Sequence, residues 1–545
     1  MPTSATASPN GPNADPTDPG TTAQPDDEQQ RIVARARIVA AGTLVSRILG
    51  LGREVVLAGM FSRAVTDAFM VAFTIPNMLR QLLAEGAVQS SVLPVLAKTL
   101  EKEGEDQARE YFRHVRALSL LILALVSVAG CLAAPWLVDL FAHGARQHAG
   151  QFERTVTLTR WLFPYILFMG SAALGLAALN ANHRFTVTAF APGLLNVAFI
   201  GCGLWLPSYF AAHQIDPMMA LAAGVLLGGV LQVVAQWPSL KRIGYTVLPK
   251  LSLSDPRVRE TLLRMGPVLI GMGVYAADLV LARRFLSEFE IGAQSYFGFA
   301  QRLVDFPQGI FVMALQAATL PSLAKLAARN DRVELGRTFA YSLKLSLFVG
   351  VVGSVLFVSL AQPVVALLFQ RGQFDAQATL GTTRALMAQG AGIWCVAVVR
   401  QLLSLYYAVG DTRTPVIVSM LDLGAFVVLA LILRGDLGHV GVSWAVSGAS
   451  LVQALLLVFF MRRHIDLNFL PDLLRSLLKT CLSLLPAGLA GYWIGVLLLP
   501  AGLGTALPGL LALTAFGVLF LASAWLLRSE ELLGLLGPLA KRLRS

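Results

Sequence analysis

Residues 47–86 read RILGLGREVVLAGMFSRAVTDAFMVAFTIPNMLRQLLAEG, a mostly apolar stretch that nonetheless holds Arg47, Arg53, Glu54, Asp67, Arg80 and Glu85. A helix needs about 20 residues to cross a bilayer, so the stretch is long enough for two successive spans. One charge at the centre of a bilayer costs ~2.5–3.5 kcal/mol on insertion scales. Charges this dense must either pair with one another or face a wet cavity, and the rest of the chain bears on that choice.

Of the 545 residues, 56% are hydrophobic and 14% charged, with mean hydropathy +0.66. Soluble domains carry about 25% charged residues, so the composition is that of an all-α polytopic membrane protein. The net charge of +11 sits mainly in loops between apolar runs, a pattern that suits membrane orientation and anionic lipid contact rather than nucleic acid. The sequence contains no P-loop, no Gly-x-Ser-x-Gly and no zinc-ligand spacing. Cys131, Cys202, Cys395 and Cys481 are isolated within apolar runs and read as free thiols. No catalytic cluster and no cofactor motif is expected.

Residues 1–30 are polar and lack the apolar core of a signal peptide; they read as a disordered tail. RIVARAR at 31–37 places that tail in the cytoplasm. About fourteen spans follow on the ~20-residue ruler. The second (66–96) and eighth (293–323) are long for a single crossing. Every other loop is basic, with Lys98–Arg116, Lys241–Arg264, Lys325–Arg337 and Arg462–Lys479 among them. That alternation predicts both termini on the cytoplasmic side.

AVQSSVLPVLAK at 87–98 and ALQAATLPSLAK at 314–325 share seven of twelve positions. EVVLAGMF (54–61) aligns with DLVLARRF (278–285) at nearly the same offset. The offset spans an even number of helices, so the halves run in the same direction, as in transporters whose site lies between repeats. The implied division is a tail (1–30), an N-lobe of six spans (31–242), a C-lobe of six (243–464), and a last pair of spans with a cytoplasmic tail (465–545).

Arg47 and Glu54 are one heptad apart and share a helix face; a structural ion pair is one reading, but one acid does not neutralise both Arg47 and Arg53. Asp67 has a competing reading as a helix cap. Pro76 breaks the second span, and Asn77 and Arg80 follow on one face. Glu85 reads equally as a cytoplasmic hinge, a salt bridge or a substrate contact. The repeat supplies FAQRLVDFPQG at 299–309, in which Arg302 and Asp305 share a face and Pro307 again breaks the helix. Arg80 and Arg302 are then expected to face one cavity across the pseudo-axis, unless Arg302 pairs only with Asp305. Arginine suits phosphate because its planar fork donates bidentate bonds and keeps its charge. Asp278, the repeat counterpart of Glu54, is a possible cation or proton site.

SRILGLGRE (46–54), TDAF (66–69), IPNMLRQLLAEGA (75–87), NHRFTVTAFAPGLLN (182–196), AQRLVDFPQG (300–309), LPSLAK (320–325), LFQRGQFD (368–375) and YYAVGDTRTPV (406–416) together resemble the MurJ (MviN) lipid II flippases of the MOP transporter superfamily. The resemblance implies a V of two six-helix lobes with two C-terminal helices. It implies transport of lipid II, an undecaprenyl-pyrophosphate disaccharide-pentapeptide, from the inner to the outer leaflet of the bacterial cytoplasmic membrane for peptidoglycan synthesis. It assigns substrate contact to Arg47, Arg53, Glu54, Arg80, Arg302 and Ser295, and an essential role to Asp67. Cell-wall synthesis machinery is a possible partner. Some members bind sodium through an acid in the seventh span, here Asp278, plus polar residues in the eleventh. Those positions fall at Phe426 and Ala430, which offer a cation no ligand, so membrane potential and protons stand beside sodium as drives. Alternatives within transport are a flippase for another polyprenyl-linked glycan and a drug or cation antiporter of the same superfamily.

Overall fold

The computed structural model describes residues 25–498 and 504–534, and the described residues form helices without strands. The N-terminal half comprises α1 (Pro25–Met60), α2 (Arg63–Arg80), α3 (Gln89–Glu103), α4 (Glu105–Ala142), α5 (Gln151–Leu162), α6 (Tyr165–Ala181), α7 (Phe185–Ala212) and α8 (Met219–Arg242). The second half runs through α9 (Pro256–Leu286), α10 (Ala293–Pro307), α11 (Met313–Ala328), α12 (Arg332–Ser359), α13 (Ala361–Phe369), α14 (Ala376–Gly390), α15 (Ile393–Ala408), α16 (Arg413–Leu437) and α17 (His439–Met461). Two further helices, α18 (Leu470–Leu498) and α19 (Ala506–Leu526), close the chain. Among the described residues, eleven helical stretches are long and apolar enough to cross a membrane. The other long helices, α1, α2–α3 and α9, are those carrying Arg47, Arg53, Glu54, Asp67, Arg80 and Asp278.

The internal repeat appears as matched irregularities. A π-turn at Gln81–Val88 joins α2 to α3, and one at Gln308–Val312 joins α10 to α11. Each follows a proline inside the preceding helix, Pro76 and Pro307. Proline removes a backbone donor and crowds the preceding turn, and π-turns occur frequently at functional sites. The long second and eighth spans are therefore continuous helices, each with a π segment after its proline. α5 and α6 are separated by a short interruption before Tyr165, and α12 ends at Ser359 before the chain resumes as α13. α1 starts at Pro25, inside the stretch read as tail.

Each half packs on itself: α7 against α1 and α8, α2 against α5, α12 against α15, α16 against α17. α18 and α19 pack on each other and on α12 and α13, where Gly488, Gly491 and Gly495 lie against Val355, Leu360 and Pro363. Small residues allow this close backbone approach where no hydrophobic force drives helices together.

α9 bridges the halves. Its sequence assigns it to the second repeat, but its first turns are anchored on α3 and α4. Asp255 caps α9 by accepting from Arg257 N, with Pro256 at the first helical position. Asp255 also takes His114 Nδ1 at 2.9 Å and Arg257 Nη2 at 2.9 Å, while Arg257 reaches Glu103 at 3.1 Å. Burial alone would raise the Asp255 carboxyl; its bonds to Arg257 and His114 outweigh that and hold it at about 2. The last turns of α9 instead bury Ala282, Phe285 and Leu286 against Phe426 and Ala430 of α16 and Val442 of α17.

Candidate functional site

Glu54 is the hub of a charged cluster. Its side chain is almost fully buried in α1, and Oε1 accepts from Arg53 at 2.5 Å and from Arg302 Nε at 3.3 Å. Arg53 comes from the same helix and Arg302 from α10, so one carboxylate ties two guanidinium groups across the lobes. The Arg53 guanidinium is also within 6 Å of two ring centroids, Phe73 of α2 (5.9 Å) and Phe199 of α7 (5.7 Å). Arg302 is half-exposed, with 48% of its side chain accessible. Glu54 Oε2, Arg53 Nε and Arg47 Nε are buried without a hydrogen-bond partner. Polar atoms left open in this way belong where a polar guest or water completes them.

The alternative pairings weighed from the sequence give way to contacts between helices. Arg47 does not meet Glu54; its Nη1 donates to the Asp305 carbonyl at 3.4 Å. The same guanidinium lies over Gly309, where a Cβ would stand 1.9 Å from Nη1. Asp305 accepts from Gln301 Nε2 at 2.8 Å, and Arg302 reaches past it to Glu54. Arg80 donates from Nε to Asn77 Oδ1 at 3.0 Å, as their spacing on one face requires. The Glu85 side chain lies outside the described residues; its backbone is in the π-turn.

Asp67 and Ser295 lie together, away from these arginines. Asp67 does cap a helix, but not its own: Oδ2 accepts from Gly292 N at 2.6 Å and Oδ1 from Ser295 N at 2.8 Å, at the start of α10. The Ser295 hydroxyl donates to the same oxygen. Gly292 adopts φ +119, a conformation open to glycine, which turns its N–H toward the carboxylate. Further bonds join the lobes at this end. Arg63 Nη1 reaches Tyr296 Oη at 3.2 Å and Gln377 Oε1 at 2.9 Å, Gln373 N donates to the Gly59 carbonyl at 2.9 Å, and His148 Nε2 donates to the Phe289 carbonyl at 3.0 Å. Ser295 is 2% exposed here and stands apart from the cluster of Glu54, Arg53 and Arg302.

Two features escaped sequence reading. Arg63 lies between the first two spans and gives no periodic signal. Arg400, on α15, is partly buried within electrostatic reach of Asp305, and its Nε has no hydrogen-bond partner; a lone arginine in an apolar run was the available clue. Asp278 is exposed on α9 within electrostatic reach of Asp422 on α16. Phe426 and Ala430 are sealed in the apolar cluster described above, at 2% and 0% exposure. No group of three or more potential metal ligands occurs among the described residues.

The family model described as "Lipid II flippase MurJ" matches residues 57–511. The lipid II flippase MurJ of Burkholderia cenocepacia is 33% identical over 441 residues, which are 79% of this chain and 84% of the relative. The probable lipid II flippase MurJ of Bdellovibrio bacteriovorus is 32% identical over 84% of this chain and 87% of its own. Among solved structures, a lipid II flippase MurJ in an inward closed conformation superposes with TM-score 0.71 at 22% identity, covering 89% of this chain and 97% of that one. An inward-facing multidrug resistance MATE family transporter of the MOP superfamily gives TM-score 0.65 at 16% identity, over 79% and 96%.

Proposed function

This chain belongs to the lipid II flippase MurJ family, and from that membership we propose that it is a multi-pass membrane transporter that moves lipid II from the inner to the outer leaflet of the bacterial cytoplasmic membrane. The observation that carries the reading is the sharing of Glu54 between Arg53 and Arg302. The lobes meet on a site with more guanidinium than carboxylate, chemistry that fits a pyrophosphate.

The basic loops face the cytoplasm, as do both termini. In this state the Asp67 end is latched, so the arginine cavity opens toward the cytoplasmic leaflet. Lipid II enters with its pyrophosphate on Arg53 and Arg302, assisted by Arg47 and Arg80. Glu54 is a placeholder: with the site empty it holds the guanidinium groups together, and it competes with pyrophosphate strongly enough to permit release. The polyprenyl tail stays in hydrocarbon while the headgroup crosses. Release outward requires the Asp67 cap on α10 to open, so each cycle exchanges that latch for closure at the basic end. Ser295 serves the latch in the closed state and meets substrate once the latch opens.

Membrane potential is the drive that best fits a cavity of this polarity, at ~2.3 kcal/mol per charge per 100 mV. Asp278 beside Asp422 is the place for a proton. Sodium held at the seventh and eleventh spans is not supported, because Phe426 and Ala430 supply apolar side chains. A drug or cation antiporter would depend on intramembrane acids and tolerate loss of Arg53 and Arg302. The deciding experiment replaces each arginine by alanine in cells depleted of their own flippase and measures lipid II in the outer leaflet. Loss of flipping at normal protein level is expected; full rescue by both variants overturns the assignment.

A further inference from the structure

An apolar slot, partly open to the outside, lies where the π-turn at 81–88 and α3 meet α4 and the first turns of α9. Leu83, Val92, Leu118, Ile122, Leu262 and Met265 line it, with Ser119 and Thr261 as its small polar members. Leu262 at the rim is 40% exposed. On α4 the slot adjoins a stripe of exposed apolar residues, Leu121, Leu125, Val128 and Leu132, the face this helix turns to hydrocarbon. An unfilled apolar space forfeits dispersion contacts on every wall, stays dry and takes apolar guests.

Charge marks one end of the slot. Glu260, next to Thr261, is shared by Lys98 at 3.5 Å and Arg264 at 2.7 Å. Two exposed cations on one acid leave a positive charge at the basic end of the helices, where headgroups lie. We infer that this slot binds an anionic glycerophospholipid of the surrounding bilayer, one acyl chain between α4 and α9 and its phosphate on Lys98 and Arg264. The chain fills the seam between α9 and the N-lobe, beside the His114–Asp255–Arg257 anchor. A bound lipid therefore stiffens the base of α9, which packs on both halves.

The test uses purified full-length protein and phosphatidylglycerol carrying a photoactivatable acyl chain. Label is expected on the segments around Leu118–Ile122 and Val258–Met265, displaced by unlabelled phosphatidylglycerol and poorly by phosphatidylcholine. Ser119→Leu fills the slot with hydrocarbon and should abolish that label. The double variant Lys98→Ala/Arg264→Ala removes only exposed cations and should weaken binding about thirtyfold, the loss expected for two basic residues near an anionic lipid. Label unaffected by the double variant overturns the proposal, whether or not the leucine variant folds. Displacement by undecaprenyl pyrophosphate but not by phosphatidylglycerol also overturns it, by giving the slot to a polyprenyl tail. No transport is measured, so this result is independent of the cargo assignment.

Discussion

The Asp67 carboxylate on α2 accepts the Gly292 backbone N–H at 2.6 Å, capping the first turn of α10 in the opposite lobe. An acid at a helix N-terminus satisfies orphan donors and complements the helix dipole. Here that local device joins two lobes. Asp67→Asn keeps the shape but loses charge-assisted bonds, each worth ~1.5–3 kcal/mol. The expected outcome is a loosened latch. Ser287→Cys, whose parent hydroxyl accepts from Gly144 N across the same seam, should react with an aqueous thiol reagent at least about tenfold faster when combined with Asp67→Asn. Unchanged reactivity would show that the other bonds at this end hold it closed alone.

What was legible in the sequence follows from what periodicity measures. Helical spacing reports neighbours on one helix, so Asn77 and Arg80 were correctly put on one face. The repeat reported that α10 corresponds to α2, and so raised Arg302 from a lone charge to a candidate partner. Spacing does not report the rotation of one helix against another. For that reason the Arg47–Glu54 and Arg302–Asp305 pairings were reasonable, while the contacts formed are Arg47 with the Asp305 carbonyl and Arg302 with Glu54. The capping chemistry of Asp67 was legible, but the capped helix lies 225 residues away. Arg400 carried no motif, and only the packing of α15 brings it near Asp305.

Glu54→Gln tests the placeholder role. The amide is nearly isosteric but leaves Arg53 and Arg302 without their shared anion. A pyrophosphate then displaces no competing charge, so lipid II should bind more tightly while turnover falls. Native mass spectrometry for affinity and a flipping assay for rate separate the two effects. Weaker binding together with slower flipping would mean that Glu54 instead holds the arginines in the productive geometry.

Gly309→Ala tests the seat of Arg47. A Cβ there would meet both terminal nitrogens of the Arg47 guanidinium, at 1.9 and 2.2 Å. The arginine is the flexible partner and must leave, so flipping should fall to the level of Arg47→Ala, with the two changes non-additive in the double variant. Gly336→Ala is the control: nothing lies within 4 Å of the new methyl on α12, and a helical Gly-to-Ala change stabilises by about 1 kcal/mol. Full activity in both Gly309→Ala and Arg47→Ala would remove Arg47 from the substrate site.

The base of α9 gives a prediction in pH. The Asp255 carboxyl is held down at about 2 by Arg257 and His114 against the opposing effect of burial. A depressed folded-state value stabilises fully above the unfolded value, near pH 4, and the contribution disappears as pH falls through about 2. A shift of this size corresponds to roughly 2 kcal/mol at neutral pH. Asp255→Asn should therefore lower the unfolding temperature in detergent at pH 7. The gap from the parent protein should begin to narrow below pH 4 and be nearly closed at pH 2, where the parent has lost the same charge. A gap that stays constant from pH 7 to pH 2 would assign the effect to the lost N-cap geometry rather than to the ion pair with Arg257 and the hydrogen bond with His114.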